Sequence, residues 1–244
     1  MTDPDTPEAR GTAAAVLPAA PRNNGSVGLD RRRILGAAVE LIDQEGLRAL
    51  TMRNLGRHLG VEAMAIYHYI DGRDALLDGV VEIVIDELYG DPDVHLTSDD
   101  WQRYLHQLAH GVRRIALAHP QVFPLIASRP PAAPWIRPPL RSLRWIEALL
   151  GTLRDCGFTD RAAVTAYQAF SSFLLGNLLL EVSGKGADIG PIDDPDPGPA
   201  QQSDLDDYPL LKQLAPELSE DRSADEFEES LEALLDRLET AGKR

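Results

Sequence analysis

The amino-acid sequence predicts an all-α protein, and three observations lead to that prediction. Apolar residues recur three and four positions apart along most of the chain, and glycines and helix-capping residues separate those runs. No segment sustains the alternation of apolar and polar residues that marks a half-buried strand. With 244 residues, 43% of them hydrophobic, the chain is also long enough to bury a sizeable core.

The first elements are a tail and two helices. Residues 1–29 are rich in Pro, Ala, Gly, Asn and Thr without any period, which predicts a flexible tail. Asp30 is placed to cap a first helix that ends at Gly46, and Thr51 is placed to cap a second that ends at Gly60. The apolar positions of the first helix are Ile34, Ala38, Leu41 and Ile42.

The next two helices complete a recognisable motif. A short helix is expected over Ala63 to Tyr69, and a long one from Arg73 to about Tyr89. A helix, a short turn that contains glycine and a short second helix make up the helix-turn-helix arrangement. Residues 30–76 are therefore expected to form one small domain.

The remaining residues, 77–244, predict a larger helical domain. Apolar spacing predicts helices over Trp101 to Ile115, over Leu140 to Leu153 and from Thr159 to about Val182. Seven prolines between positions 120 and 139 allow only short helical pieces there. The third of these helices is apolar almost all round from Phe170 to Leu180, which argues for burial both in a core and against a partner.

The last part of the chain is acidic. Residues 183–208 read as an acidic linker rich in Pro and Gly, and a final amphipathic helix is expected from about Ala224. Of the net charge of −15, residues 186–244 contribute −12 through 5 basic and 17 acidic groups, so the first three quarters are nearly neutral. The overall charge does not suggest a basic coat for nucleic acid.

Location and redox setting follow from a few absences in the sequence. A single cysteine, Cys156, excludes an internal disulfide framework and a Cys-rich zinc site, and we expect it to be a buried apolar filler. The amino terminus lacks the basic region of a signal peptide. The most apolar run, Phe173 to Leu180, is much shorter than the roughly 20 residues of a membrane span. We expect a cytoplasmic protein with no membrane association.

The helix-turn-helix suggests a way to read DNA. With Ile66 and Ile70 turned inward, the short helix presents its other face to the major groove, where small residues permit close approach and Met or Ala can touch thymine methyl groups. Tyrosine and arginine suit phosphate oxygens. The residues concerned are Ala63, Met64, Ala65, Tyr67, His68, Arg53 and Arg73. Spacing alone fits equally well a small helical bundle without a DNA role.

The same region resembles the DNA-binding domain of the TetR (tetracycline repressor) family. The residues that carry the resemblance are Leu29-Asp30, Ala37-Ala38, Leu41-Ile42, Glu45-Gly46-Leu47, Leu50-Thr51-Met52-Arg53, Leu55-Gly56, Leu59-Gly60-Val61, Ala65-Ile66-Tyr67-His68-Tyr69-Ile70 and Arg73-Asp74-Ala75-Leu76-Leu77-Asp78. It implies an all-α homodimer that binds a palindromic operator, usually as a repressor released by a ligand. The positions it implies to face DNA are Thr51, Met52, Arg53, Ala63, Met64, Ala65, Tyr67, His68 and Arg73.

A weaker resemblance to the tetracycline repressor's own ligand-binding domain continues through the second half. It implies that the Thr159–Val182 helix and the last helix pair with their copies in a four-helix dimer interface. The family's histidines for tetracycline and magnesium correspond to Tyr89 and to Leu125 or Ile126, its pocket Asn and Phe to Leu108 and Val112, and its magnesium-linked Glu to Leu180 or Glu181. Only Arg129-Pro130 matches well, so we expect a different ligand, bound without magnesium.

Composition suggests the chemistry of that ligand. Aromatic and aliphatic residues with a few polar groups could line an apolar cavity for a flat hydrophobic molecule, and Arg129 could pair with an acidic or carbonyl group of it. The candidates are Tyr89, Tyr104, Leu108, Val112, Phe123, Arg129, Trp135, Tyr167, Phe170 and Phe173. Any one of the aromatic residues could equally be an ordinary core residue.

Motifs for enzymes, metals and cofactors are weak. His106 and His110 lie one helical turn apart, as a metal pair requires, but the sequence offers neither the glutamate of the metalloprotease motif nor an evident third ligand. Gly184-Lys185-Gly186 lacks the spacing of a phosphate-binding loop. We therefore expect no catalysis, metal or cofactor. The rival hypothesis is a small-molecule-binding or enzymatic helical protein with a vestigial helix-turn-helix.

Overall fold

The computed structural model describes residues 28–129, 133, 136–139, 142–190 and 207–242. Within these residues the regular structure consists of ten α-helices and two short 3₁₀ segments, with no strand, so the predicted all-α fold is confirmed. The helices are α1 (Arg31–Glu45), α2 (Met52–Leu59), α3 (Ala63–Tyr67), α4 (Gly72–Ile85), α5 (Trp101–Ala118), α6 (Phe123–Ser128), α7 (Leu143–Asp155), α8 (Asp160–Gly184), α9 (Pro209–Leu218) and α10 (Ser223–Gly242). The 3₁₀ segments are Leu47–Ala49 and Asp86–Gly90.

The caps that the sequence predicts for the first two helices are present. The Asp30 carboxylate accepts a hydrogen bond from the Arg33 backbone N–H at 2.8 Å, and the Thr51 hydroxyl accepts one from the Asn54 N–H at 3.1 Å. Gly46 and Gly60 end α1 and α2 with φ angles of 82° and 71°. These local signals fix the helix ends because each satisfies backbone groups that the helix itself leaves unpaired.

A close approach at Gly56 sets the position of α3 against α2. The Val61 N–H donates to the Gly56 carbonyl at 2.9 Å across the turn. A Cβ atom on Gly56 would lie 2.9 Å from the Val61 carbonyl oxygen and 3.2 Å from the Ala63 nitrogen. Glycine in the middle of α2 therefore lets the helix-turn-helix close tightly, and Ile66 of α3 is fully buried beneath it.

Helix α4 is shared between the two parts of the chain. It packs on α1 and also contacts α5 and α6. The sequence predicts a helix as far as Tyr89, but the α-helix ends at Ile85 and tightens into the 3₁₀ segment. That segment places the buried Leu88 against α5 at Gly111, where an added Cβ would lie 3.0 Å from the Leu88 side chain.

The larger domain is built around α8, which packs against α5, α6, α7 and α10. Its buried residues Phe170, Leu174 and Leu178 belong to one continuous core. By length and composition alone α8 would also qualify as a membrane span, but a soluble protein's core helix passes the same test. Leu180, on the opposite side of α8, is 74% exposed.

Other predicted boundaries hold in part. Among the described residues of the proline-rich stretch, helical structure is confined to α6, as expected. Leu140 lies outside the described residues, and the helix that it was predicted to begin is observed as α7. Most of the predicted linker, 191–206, is also outside them.

The structure differs from the sequence analysis at two further points. Helix α9 was not predicted, since none of its side chains is buried against the core. Cys156 is half-buried rather than buried, and its thiol lies 3.5 Å from the Asp99 carbonyl oxygen, as a weak donor at the end of α7 rather than an apolar filler.

Candidate DNA-binding and ligand-binding sites

Most of the predicted DNA-facing residues are exposed, and the others are half-buried. Met64 is 70% exposed and Tyr67 46% exposed, although both flank the fully buried Ile66. Thr51, Arg53, His68 and Arg73 are also exposed, and Met52, Ala63 and Ala65 are half-buried. Tyr69, which is 46% exposed, was left out of the predicted set although it is part of the Tyr67-His68-Tyr69 motif.

Two arginine side chains among these residues are not engaged in ion pairs with described residues. Arg53 and Arg73 form no ion pair with any described residue, whereas the neighbouring Arg57 donates to the Asn54 side chain at 3.0 Å. Free guanidinium groups beside an exposed short helix can bind phosphate oxygens without first breaking an internal contact. These residues therefore offer exposed donors for phosphate, despite the neutral overall charge of the domain.

Arg129, predicted to bind a ligand, contacts α4 instead. Its guanidinium lies 2.9 Å from the Asp74 carboxylate and 2.8 Å from that of Asp78, and its side chain is 16% exposed. Asp74 directly follows Arg73, and Asp78 lies one turn later, both in the first two turns of α4. Arg129 thus ties the end of α6 to the start of the helix that follows the predicted helix-turn-helix.

His119 forms a second contact between the two parts of the chain. Its Nδ1 atom lies 2.6 Å from Asp43 in α1, and its Nε2 atom lies 3.2 Å from Glu87. The hydrogen bond with Asp43 raises the pKa of His119 above its ordinary value, because the carboxylate stabilises the imidazolium. Glu87 adds to this effect.

Most predicted ligand-binding residues bury their side chains in the larger domain. The buried ones are Tyr104, Leu108, Val112, Phe123, Tyr167 and Phe170. Phe173 is half-buried, and Tyr89 is exposed and stacks on Trp145 with the ring centroids 5.2 Å apart. Trp135 lies outside the described residues. Tyr89 also lines a cleft of about 800 Å³ between α1 and α4.

The core of this domain contains polar atoms without partners. The Tyr104 hydroxyl, the Trp145 indole N–H and the Ser171 hydroxyl are buried and have no hydrogen-bond partner among the described residues. Burial also raises the pKa of Tyr104, so the phenol stays neutral. The three unpaired polar groups lie on α5, α7 and α8, which pack against one another. Buried polar groups without partners are rare, and a bound water or ligand is a common explanation. The sequence analysis does not identify Trp145 and Ser171, because the spacing of residues cannot show which buried polar atoms lack hydrogen-bond partners.

Glu181, one of the two residues that correspond to the family's magnesium-linked glutamate, is engaged elsewhere. Its carboxylate accepts two hydrogen bonds from Arg113, at 3.0 and 2.7 Å, and its side chain is 4% exposed. Leu180 cannot ligate a metal. The two histidines of α5, by contrast, have the third group that the sequence did not reveal: Glu228 of α10.

Comparisons with known proteins match both parts of the chain. Residues 34–80 match the family described as bacterial regulatory proteins, tetR family, and residues 94–241 match the tetracyclin repressor-like C-terminal domain. The tetracycline repressor protein class A from transposon 1721 of Escherichia coli is 29% identical over 210 residues, which cover 86% of this chain and 90% of that protein.

Solved structures give the same result. A possible TetR family transcriptional regulator from Streptomyces coelicolor A3(2) superposes with a TM-score of 0.67 at 27% identity, covering 86% of this chain and 99% of that one. The Streptomyces coelicolor TetR family protein ActR, in complex with (S)-DNPA, gives a TM-score of 0.62 at 25% identity and covers 87% and 98% of the two chains.

Proposed function

The chain belongs to the tetR family of bacterial regulatory proteins, and from that premise we propose that it is a repressor that binds a palindromic operator as a homodimer and is released by a hydrophobic small molecule. It is a ligand-responsive DNA-binding transcriptional regulator. We also propose that it acts in the cytoplasm. We assign DNA binding to residues 30–76 and ligand binding and dimerisation to residues 77–244.

The observation that carries the DNA assignment is the exposed face of α3, together with Arg53 of α2 and Arg73 of α4, which form no ion pair with a described residue. Met64 and the half-buried Ala63 and Ala65 are placed to reach base edges, while Tyr67 and Arg73 supply phosphate donors. Phosphate contacts carry no sequence information, so we assign specificity to the first group and orientation to the second.

A homodimer accounts for the exposed apolar residues of α8. Leu180 is 74% exposed on a helix whose other side is buried in the core. Pairing this face with its copy would remove it from water. A two-fold dimer would present two copies of α3, which must lie about 34–36 Å apart to enter successive major grooves.

The buried polar atoms support a ligand cavity among α5, α7 and α8. A flat, mainly apolar molecule with an acceptor for the Trp145 N–H and a group for the Tyr104 hydroxyl would satisfy them. The relatives bind different compounds by name, tetracycline in one and (S)-DNPA in another. A ligand acts only through its differential affinity for conformations that differ in DNA binding. Arg129 and His119, which tie α6 and the end of α5 to the first domain, are the residues through which we propose that this difference is transmitted.

The experiment is selection of genomic fragments by the purified chain at near-physiological salt, followed by sequencing. We expect enrichment of one palindrome with half-sites about one helical turn apart. Arg73→Ala should weaken binding to it about equally for all sequences and lower the salt slope by about 1.

Arg154→Ala is the matched control, because Arg154 is an exposed arginine of α7, outside the helix-turn-helix, and pairs with Asp160. It should leave both affinity and salt slope unchanged. Diffuse, salt-labile binding without a palindrome would contradict the proposal and favour a helical ligand-binding protein with a vestigial helix-turn-helix.

A further inference from the structure

Three potential metal ligands meet where α5 packs near α10, away from the DNA-facing surface. His106 and His110 lie one turn apart on α5, with their ring centroids 4.4 Å apart. Glu228 of α10 approaches both, with one carboxylate oxygen 3.8 Å from His106 Nε2 and the other 3.3 Å from His110 Nε2. One ligand atom from each residue lies within 4.8 Å of the others.

These distances fit a tetrahedral metal ion with little movement. Zinc binds imidazole nitrogen and carboxylate oxygen at about 2.0–2.2 Å, which places neighbouring ligand atoms roughly 3.4 Å apart. The histidine–carboxylate separations of 3.3 and 3.8 Å, each to a different oxygen of Glu228, are near that value, and one ligand atom from each residue lies within 4.8 Å of the others. Side-chain rotation would bring the three donors to bonding distance of one ion.

A simple ion pair explains the cluster less well. His110 Nε2 is inaccessible to water and, although near Glu228, has no hydrogen bond of acceptable geometry with a described group. A ring nitrogen that is left without a partner can bind a metal ion through its lone pair.

The surroundings hold the ligands in place and leave one side open. The Phe227 ring packs edge-on against His110 with the centroids 5.7 Å apart. The nearby cation Arg113 is bound to Glu181 through two hydrogen bonds, so its charge is compensated. The His106 side chain is 48% exposed, and a cation and a water can reach the cluster from that side.

We propose that His106, His110 and Glu228 bind a divalent transition-metal ion of the zinc type, with water in the fourth position. Two imidazoles and a carboxylate favour zinc and its neighbours over magnesium, which prefers oxygen ligands. The site is distinct from the family's magnesium-linked position. An ion bound there would join α5 to α10, in addition to the hydrogen bond that Gln102 donates to Glu239 at 3.5 Å.

The test is titration of the full metal-free chain with Co²⁺, followed by competition with Zn²⁺. Tetrahedral Co²⁺ gives visible absorption bands that octahedral aqueous Co²⁺ lacks at comparable intensity. We expect these bands to saturate at one equivalent and to disappear when Zn²⁺ is added. Since loss of an outer-shell partner alone weakens metal affinity 10–100-fold, His106→Gln and Glu228→Gln should each weaken it by at least about 100-fold.

His58→Gln is the matched control. His58 also lies beside a carboxylate, that of Glu40 at 3.4 Å, but among the described residues it belongs to no group of three potential ligands. It should bind Co²⁺ as the unchanged chain does. Absence of the bands, or bands that persist in both His106→Gln and Glu228→Gln, would overturn the proposal.

A second readout does not depend on colour. Zn²⁺ at about 100 times its Kd should raise the Tm of the unchanged chain by roughly 5–10 °C. The exposed variant His106→Gln, which should fold normally, should show the same metal-free Tm and no such rise. An equal rise in that variant would place the ion elsewhere and refute this site.

Discussion

Replacing Gly56 by alanine tests whether the close approach of α2 and α3 determines the helix-turn-helix. The new Cβ would lie 2.9 Å from the Val61 carbonyl oxygen, 3.2 Å from the Ala63 nitrogen and 3.3 Å from its Cα. Every one of these atoms is backbone, so none can move away by rotation of a side chain. The turn itself must open, and α3 must shift with it.

The expected magnitude follows from two opposing terms. Alanine in a helix interior is favoured over glycine by roughly 0.5–1 kcal/mol. Overpacking a tight site costs about 1–3 kcal/mol. The balance should lower the free energy of unfolding of Gly56→Ala by about 1 kcal/mol, and by at most about 2.5 kcal/mol.

Gly36→Ala is the matched control in the same domain. Gly36 lies inside α1, and an added Cβ there meets no atom within 4 Å. Only the helix term remains, so this variant should be stabilised by roughly 0.5–1 kcal/mol. The two substitutions therefore have opposite predicted signs although the chemical change is the same.

Urea unfolding followed by circular dichroism measures both stabilities, and fluorescence anisotropy with operator DNA measures affinity. We expect Gly56→Ala to lose operator affinity as well, because α3 carries the proposed base contacts. If Gly56→Ala were as stable as Gly36→Ala and bound DNA equally well, the steric reasoning would be refuted.

Three further variants test the connections between elements. Because the pKa of His119 is raised, its pairing with Asp43 stabilises the fold fully below the ordinary pKa of 6.5, and this stabilisation is lost as the pH rises through the raised pKa. In urea unfolding, the stability advantage of the unchanged chain over His119→Gln should therefore decline above that pH. Arg129→Ala, which frees the exposed Asp74, should cost about 1 kcal/mol of unfolding free energy at low salt and less at high salt, and a salt-independent loss would mean that packing rather than charge is involved. Leu180→Asp should produce a monomer in sedimentation, and an unchanged dimer would exclude this face of α8 from the interface.

From the sequence alone, a substitution of Leu178 would test the dimer interface as well as one of Leu180. Leu178 is also in the apolar run of α8, and the resemblance implies that this helix pairs with its copy. The structure shows that Leu178 is fully buried in the chain's own core, so an aspartate there would unfold the protein rather than separate two copies. Leu180, two residues away, is on the exposed side. Periodicity shows that a helix is broadly apolar but not which apolar side faces its own domain.

Local signals in the sequence were sufficient to predict where the first two helices begin and end. Asp30, Thr51, Gly46 and Gly60 each act on the backbone within a few residues, so their effect can be read from sequence alone. Helix α9 could not be found in that way. It begins at Pro209, a good first helical residue, but buries no side chain, and burial against a core is what produces a readable pattern.

The sites depended on contacts between distant residues. Spacing identified the His106–His110 pair, but Glu228 lies on another helix near the end of the chain, and no local pattern relates the two. In the same way, Arg129 stands among prolines in the sequence and was assigned to a ligand, whereas folding places it against Asp74 and Asp78. The type of each residue indicated its chemistry correctly, but only the fold supplied the partner.

The pairing of Arg129 with Asp74 has a consequence for genetics. The two residues are 55 positions apart in the sequence, yet Asp74 directly follows Arg73, a proposed phosphate contact. A screen for mutants that no longer silence a reporter gene should therefore recover substitutions at Arg129 together with those in the helix-turn-helix. A map of such mutants drawn along the sequence would show two separate clusters, and the folded chain would show that they meet at the start of one helix.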